Sequence, residues 1–289
     1  MNVKRQIAIF TDAHALLEPV EAILEDIKKR GISEIYSLGD NISVGPNPSE
    51  VLSFLEENNV ISVAGNAEAY IRLGLEPFAC YFTWDKVKSE KWTRAHLTPH
   101  QIDLIYRYPY SIDLEFGGKK IALCHFANDV RYDYPENGVF PYLERLKKGA
   151  AYSQFYYTNS QEQKREIEQV LQKGILSSAY FGYISTFLSP LFAGKCVDYY
   201  DAIIQGHTHF KAYEYAENQA FYAIRAVGIG YGDAPDNMAS YVILTETESG
   251  YFLEDVLVPF DREKMLYAVD HSDTPDPVLR RFINYNKNR

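Results

Sequence analysis

The first 64 residues alternate between short apolar runs and amphipathic stretches, and this alternation restricts the fold more than any other feature of the chain. The apolar runs at 7–10, 35–38 and 60–64 each have the length of one buried strand. Between them, apolar residues recur at helical spacing, and Asn47-Pro48 has the composition of a helix start. Strands separated by helices in this way predict parallel strands joined by right-handed crossovers. We therefore predict an α/β fold.

The rest of the chain divides into a continuation of this core, an insertion and a tail. Helices are predicted around 84–95 and 98–107, followed by a hairpin that turns at Gly117-Gly118 and by short strands between 201 and 257. The predicted parts are a core formed by 1–126 and 201–260, an inserted helical cap at 127–200, and a helical tail at 261–289.

Tyr and Phe crowd the predicted insertion, and two interpretations of this crowding stay open. The rings are either part of a lid that stacks on a nucleobase or aryl group, or part of a second small core or a homodimer interface.

Charge and composition exclude several classes of protein. Among 289 residues, 29 Lys and Arg stand against 39 Asp and Glu, and a net charge of −10 argues against stable binding of nucleic acid. No apolar run approaches the roughly 20 residues of a membrane span. The three cysteines (Cys80, Cys124 and Cys196) are scattered without pairing, as in a reducing compartment. We expect a cytoplasmic protein that does not bind membranes.

Polar residues of metal-binding type follow five of the apolar runs. They are Asp12 and His14, Asp40, Asn66, His125, and His207 with His209. In open α/β sheets, ligands bind outside the carboxyl ends of the strands, so we expect these side chains to share one crevice. The spacing of His207 and His209 predicts that both imidazoles point to one side.

Imidazole, carboxylate and amide ligands together suit Mn²⁺, Fe or Zn²⁺ and differ from a soft thiolate site. Seven ligands are too many for one tetrahedral ion, whereas two ions that share Asp40 would use all of them.

Taken separately, each motif also has a purely structural explanation. Gly65-Asn66 is a common helix start, and His125 is compatible with a buried histidine of the core. The common placement after strands favours the metal site.

The order of these motifs resembles the calcineurin-like metallophosphoesterases, whose pattern is D-x-H, GD, GN-[HC]-[DE], H and GH-x-H. The stretch LGDNISVGPNPSEVLSFL is similar to a branch of small bacterial and archaeal phosphodiesterases and diadenosine-tetraphosphatase-like proteins. The resemblance implies a β-sandwich of mixed sheets flanked by helices. It also implies a hydrolase with two divalent transition-metal ions, Mn²⁺ first and Fe or Zn²⁺ as alternatives.

The resemblance further implies a role for each matching residue. One ion is expected on Asp12, His14, Asp40 and His209, and the other on Asp40, Asn66, His125 and His207. A hydroxide bridging the ions would attack the phosphorus, with Asp40, Asn66 and His125 as the catalytic residues. Phe126, Arg131 and Arg225 are candidate substrate-binding residues, although isolated arginines are more commonly solvated surface.

Position 67 departs from the pattern, because alanine stands where many relatives have histidine. The resemblance to this branch implies a phosphoesterase acting on small phosphodiesters or nucleotide-like substrates, and the missing proton donor at position 67 favours those with good leaving groups. Two alternatives are phosphomonoesterase activity and a non-catalytic metal-binding interaction module on the same fold.

Overall fold

The computed structural model describes residues 5–75, 84–125, 200–216, 219–229 and 234–275. The predicted cap at 127–200, apart from its last residue, lies outside these ranges, as do Phe126, Arg131 and the tail beyond residue 275. The homodimer contact predicted through the cap therefore concerns residues that the structure does not describe.

Within these ranges, the order of strands and helices follows the sequence prediction closely. The strands are β1 (Gln6–Phe10), β2 (Glu34–Ser37), β3 (Ile61–Ser62), β4 (Ser111–Phe116), β5 (Lys119–Cys124), β6 (Ala202–Gln205), β7 (Ala212–Ala216), β8 (Gln219–Ala223), β9 (Met238–Thr247) and β10 (Gly250–Pro259). The helices are α1 (Leu17–Lys29), α2 (Pro48–Glu57), α3 (Asn66–Leu73), α4 (Trp84–Ala95), α5 (Pro99–Arg107) and α6 (Arg262–His271).

The strands form two mixed five-stranded sheets, which confirms the predicted fold class. The first sheet has the order β10-β9-β1-β2-β3 and the second the order β4-β5-β6-β8-β7. Strands β1, β2 and β3 pair in parallel, as the helical crossovers predicted, whereas β9 pairs antiparallel to β1. In the second sheet β5, β6 and β8 are parallel.

Strand β1 shows how side-chain alternation builds the layers. Ile7 and Ile9 face the second sheet and pack in the cluster that contains Leu123 and Ile204. Ala8 and Phe10 face the opposite way, into a cluster formed with α1, α2 and α6. Because successive side chains of a strand point to opposite faces, one short apolar run contributes to two cores.

The main difference from the prediction is helix α3, since a helix start at Gly65-Asn66 was considered only as the structural alternative to a metal ligand. The strand before it has only two residues, and the helix begins directly at Asn66. Its buried residues include the small Ala67 and Ala69, which give a weak apolar period. The Glu68 carboxylate accepts a hydrogen bond from the Gly65 N–H (2.8 Å) and so stabilises the helix start.

None of the helices in the described part of the chain combines the length and the apolar character that crossing a membrane requires.

The core between the sheets predicts a large stability cost for a truncation in β1. Ile9→Ala should lower the free energy of unfolding by about 2–5 kcal/mol, because the side chain is fully buried between the two sheets. Ile61→Ala is the matched control, since Ile61 is 46% exposed and should lose only about 0.5 kcal/mol. Urea unfolding measures both, and equal losses would contradict this account of the core.

Candidate metal centre

All seven predicted ligands follow the carboxyl ends of strands, but they come from both sheets. Asp12, His14, Asp40 and Asn66 follow β1, β2 and β3 of the first sheet. His125 follows β5, and His207 and His209 follow β6, in the second sheet. The structure brings the seven side chains together in two adjoining clusters.

The first cluster consists of Asp12, His14 and His209. The Nε2 atoms of His14 and His209 lie 2.9 Å apart, and Asp12 Oδ1 lies 3.3 Å from His209 Nε2 and 3.7 Å from His14 Nε2. All three residues are buried. Their spacing is that of ligands around one ion.

The second cluster consists of Asn66, His125 and His207. Asn66 Oδ1 lies 3.0 Å from both His125 Nε2 and His207 Nδ1, and these two nitrogens are 3.2 Å apart. The Leu38 carbonyl oxygen is 2.8 Å from His125 Nδ1. Because a carbonyl only accepts, a neutral His125 carries its proton on Nδ1 and turns a lone pair on Nε2 toward the cluster.

Asp40 lies between the two clusters. Its Oδ2 is 3.9 Å from His14 Nε2, and its Oδ1 is 3.6 Å from His125 Nε2. Oδ1 also accepts a hydrogen bond from the Ala67 N–H (2.7 Å), which orients the carboxylate. One oxygen of Asp40 thus faces each cluster.

The loop after β6 differs from the extended backbone assumed in the sequence prediction. His207 and His209 have φ values of 71° and 62°, so the chain turns sharply and sends one imidazole to each cluster. Asp12, His14 and Asp40 also have positive φ, at 55°, 48° and 52°. Non-glycine residues rarely adopt this conformation, and its concentration here is typical of a functional site.

Two glycines of the motifs allow the strand ends to approach one another. A Cβ at Gly65 would collide with Asp40 Oδ1, and one at Gly206 would collide with the Thr11 hydroxyl oxygen. At both positions the side chain of any other residue would displace a ligand or its neighbour.

Electrostatics shows that these residues fit divalent ions. Burial, and then the charge of Asp12, raises the pKa of Asp40 to about 8. Burial also raises the pKa of Asp12, but the charges of His209 and His125 outweigh it and leave that pKa below its usual range. Burial and the charge of His209 lower the pKa of His14, which favours the neutral imidazole that binds metals.

Asp12 Oδ1 adds a geometric argument, because this buried oxygen has no well-formed hydrogen bond among the described residues and faces His209 Nε2 at 3.3 Å. A cation beside it would satisfy the oxygen and offset the repulsion between Asp12 and Asp40. Carboxylate, amide and imidazole donors are the set that borderline divalent metals accept.

Comparison with known proteins identifies the chain. Residues 6–154 match the profile of the calcineurin-like phosphoesterase superfamily domain. The chain belongs to this superfamily. An uncharacterized protein of Methanocaldococcus jannaschii is 33% identical over 167 residues, which are 55% of this chain and 67% of that protein.

Solved structures support the fold of this calcineurin-like phosphoesterase. A metallophosphoesterase of Sphaerobacter thermophilus is 18% identical with a TM-score of 0.61, covering 99% of this chain and 100% of its own. A hypothetical protein of Pyrococcus horikoshii is 12% identical with a TM-score of 0.60, covering 96% of this chain and 97% of its own. Because the chain belongs to the calcineurin-like phosphoesterase superfamily, it is a hydrolase of the metallophosphoesterase class. The superfamily also implies divalent metal ions.

Of the other predicted site residues, Phe126 and Arg131 lie outside the described ranges. Arg225 Nη1 is 3.3 Å from Asp255 Oδ1 on β10, in an ion pair, and its role in substrate binding stays a prediction. Ala67 is fully buried, and its side chain packs in the apolar cluster that contains Ile42, Leu52 and Ile71. An imidazole introduced at position 67 would have to displace these neighbours.

Sequence reasoning missed Glu68, which connects two ligand loops of the phosphoesterase. Its Oε2 accepts from the N–H groups of Asp40 (2.9 Å) and Gly65 (2.8 Å), and its Oε1 accepts from that of Asn41 (2.9 Å). Burial, and then the charge of Asp40, raises the pKa of Glu68 to about 7. The [DE] position of the superfamily motif was the signal that would have pointed to this residue.

Glu68→Gln should weaken metal binding without removing any ligand. An amide nitrogen cannot accept a hydrogen bond from a backbone N–H, so at least one of the three hydrogen bonds is lost. The loop that carries Asp40 is then positioned less firmly. We expect a loss of about 10–100-fold in Mn²⁺ affinity, measured by calorimetric titration.

The matched control for this variant is Glu25→Gln on the exposed face of α1, where the same chemical change should leave Mn²⁺ affinity intact. Unchanged affinity in Glu68→Gln would show that the loops keep their positions without this carboxylate.

Proposed function

We propose that this chain is a dinuclear metal phosphoesterase that hydrolyses small phosphodiester or nucleotide-like substrates. The observation that carries the proposal is the position of Asp40, whose two carboxylate oxygens face two separate clusters of neutral nitrogen and oxygen donors. A single-ion site would need only one of these clusters.

The proposed ligands divide according to the distances between their side chains. Asp12, His14 and His209 would hold one ion together with Asp40 Oδ2. Asn66, His125 and His207 would hold the other together with Asp40 Oδ1. When bound, the ions would supply Lewis acidity toward phosphate oxygens and lower the pKa of a water molecule enough for attack at neutral pH.

The protein's own residues would set the position and charge of this centre. Asn66 contributes a neutral oxygen, so the second cluster keeps more positive charge for phosphate than a carboxylate there would leave. The Thr11 hydroxyl (2.7 Å) and the His207 N–H (2.8 Å) donate to Asp12 Oδ2 and direct its other oxygen toward the imidazoles. We propose Mn²⁺ as the metal, with Fe or Zn²⁺ as alternatives, because the donors are hard oxygens and borderline imidazoles.

Charge and composition support a small substrate. A net charge of −10 disfavours long nucleic acids, whereas one phosphodiester or nucleotide needs only local positive charge. A cytoplasmic location, based on the sparse cysteines, and a role of the 127–200 cap as a lid are parts of the same proposal.

Asp40→Asn should reduce bound metal and remove nearly all activity, because Asp40 faces both clusters and the amide has no charge to hold the ions. Elemental analysis of the purified protein and turnover of an aryl phosphodiester with added Mn²⁺ test this expectation. Asp103→Asn is the matched control, since this exposed aspartate on α5 lies outside both clusters. Two ions per chain and full turnover in Asp40→Asn would refute the shared-ligand assignment.

Cleavage rates should fall steeply as the pKa of the leaving group rises. The alanine at position 67 cannot donate a proton, whereas general-acid help from a positioned histidine is typically worth about 10²–10⁴-fold. A series of aryl and alkyl diesters and monoesters with graded leaving groups measures the dependence. A flat dependence would reveal a proton donor elsewhere in the chain, and fastest turnover of alkyl monoesters would indicate a phosphomonoesterase.

A further inference from the structure

A charged group on α4 contacts the loop that follows Asp40 and is not among the proposed metal ligands. Lys86, in the first turn of α4, forms an ion pair with Glu90 one turn later, with 2.5 Å between Nζ and Oε1. The Lys86 side chain is 20% exposed, whereas that of Glu90 is 1% exposed. The pair therefore has a buried acidic end and a basic end that solvent can reach.

Ser43 connects this pair to the loop that carries Asp40. The Ser43 hydroxyl donates to Glu90 Oε1 and lies 3.3 Å from Lys86 Nζ. Ser43 has a φ of 70°, and the loop continues to Gly45, whose N–H donates to the His14 carbonyl oxygen (2.9 Å). Lys86 thus contacts the loop that follows Asp40 and that is hydrogen-bonded to the His14 backbone.

A second contact places Lys86 against helix α3, which begins with Asn66. Its Nζ lies 5.6 Å from the centre of the Tyr70 ring on α3. Tyr70 is four residues after Asn66, so both side chains lie on the same face of that helix. The ammonium group is therefore held between the loop of Asp40 and the helix that begins with Asn66.

From these contacts, we propose that Lys86 binds a phosphate oxygen of the substrate next to the metal centre, with Glu90 and Ser43 holding the ammonium in position. This inference rests on the proposed function. Lysine is a suitable phosphate-binding residue, because its flexible stem carries a compact point charge with three donors. A bound phosphate would then contact Lys86 as well as the ions.

The electrostatics agrees with this placement. Burial is the largest influence on the pKa of both His14 and Asp40, and the charge of Lys86 also lowers both values. The ammonium is therefore close enough for its field to reach His14 and Asp40.

A purely structural role is the alternative explanation. In that case Lys86 serves only to neutralise the buried Glu90, whose Oε2 has no hydrogen-bond partner among the described residues. The two explanations differ in what happens when both charges are removed together.

Orthophosphate, which presents the same kind of anionic oxygens as a phosphoester group, is the probe for this inference. It is titrated calorimetrically into Mn²⁺-loaded protein, and bound metal is measured in parallel. Lys86→Met should weaken orthophosphate binding by about tenfold or more, since a hydrogen bond to a charged group is lost. Metal content should stay at the wild-type level, and Lys86→Arg should keep affinity within about threefold of wild type.

Two further variants make the result decisive. Lys88→Met removes the same charge from an exposed position on α4 and should leave affinity unchanged. The double variant Lys86→Met with Glu90→Gln removes the ion pair without leaving a buried unpaired carboxylate, and it should still bind orthophosphate weakly. Wild-type affinity in either the single or the double variant would overturn the role of Lys86.

The experiment separates this inference from the proposed function. If the wild-type protein takes up no Mn²⁺, the proposed function fails, and the role of Lys86 fails with it. If wild type binds two ions and orthophosphate while Lys86→Met binds both equally well, only the role of Lys86 is refuted.

Discussion

The carboxylate of Glu68 joins the two loops on which the metal centre depends. It accepts hydrogen bonds from the backbone of Asp40, Asn41 and Gly65, so the ends of β2 and β3 are held at one distance. The same contacts start helix α3, which positions Asn66. A charged acceptor with three backbone donors in a buried site is a strong constraint, because breaking any one bond leaves a buried polar group unsatisfied.

This arrangement concentrates negative charge that the polypeptide alone does not balance. Asp12, Asp40 and Glu68 are all buried within one site, and burial together with neighbouring charge raises the pKa of Asp40 and Glu68. A divalent ion in each cluster would stabilise the ionised carboxylates, and the positive φ of the ligand residues places their side chains for it. We therefore expect metal binding to stabilise the folded loops.

The packing of two sheets is what assembles each cluster. Asp12 and His14 come from the first sheet and meet His209 from the second, while Asn66 from the first meets His125 and His207 from the second. The core between the sheets, with Ile9 opposite Leu123 and Ile204, therefore holds the ligands as well as the fold. A change in sheet packing would separate both clusters at once.

The sequence by itself determined the order of the strands and of the helices other than α3, and the identity of the seven ligand candidates. Apolar periodicity and motif order are local properties, so Asp12-Ala13-His14 or Gly65-Asn66 can be recognised without knowing what faces them. Tertiary structure alone decided the rest. It divided His207 and His209 between two clusters, buried Ala67 in an apolar cluster, paired Arg225 with Asp255, and brought Lys86 to Ser43. These contacts join residues far apart in the chain, and sequence periodicity carries no information about such distances.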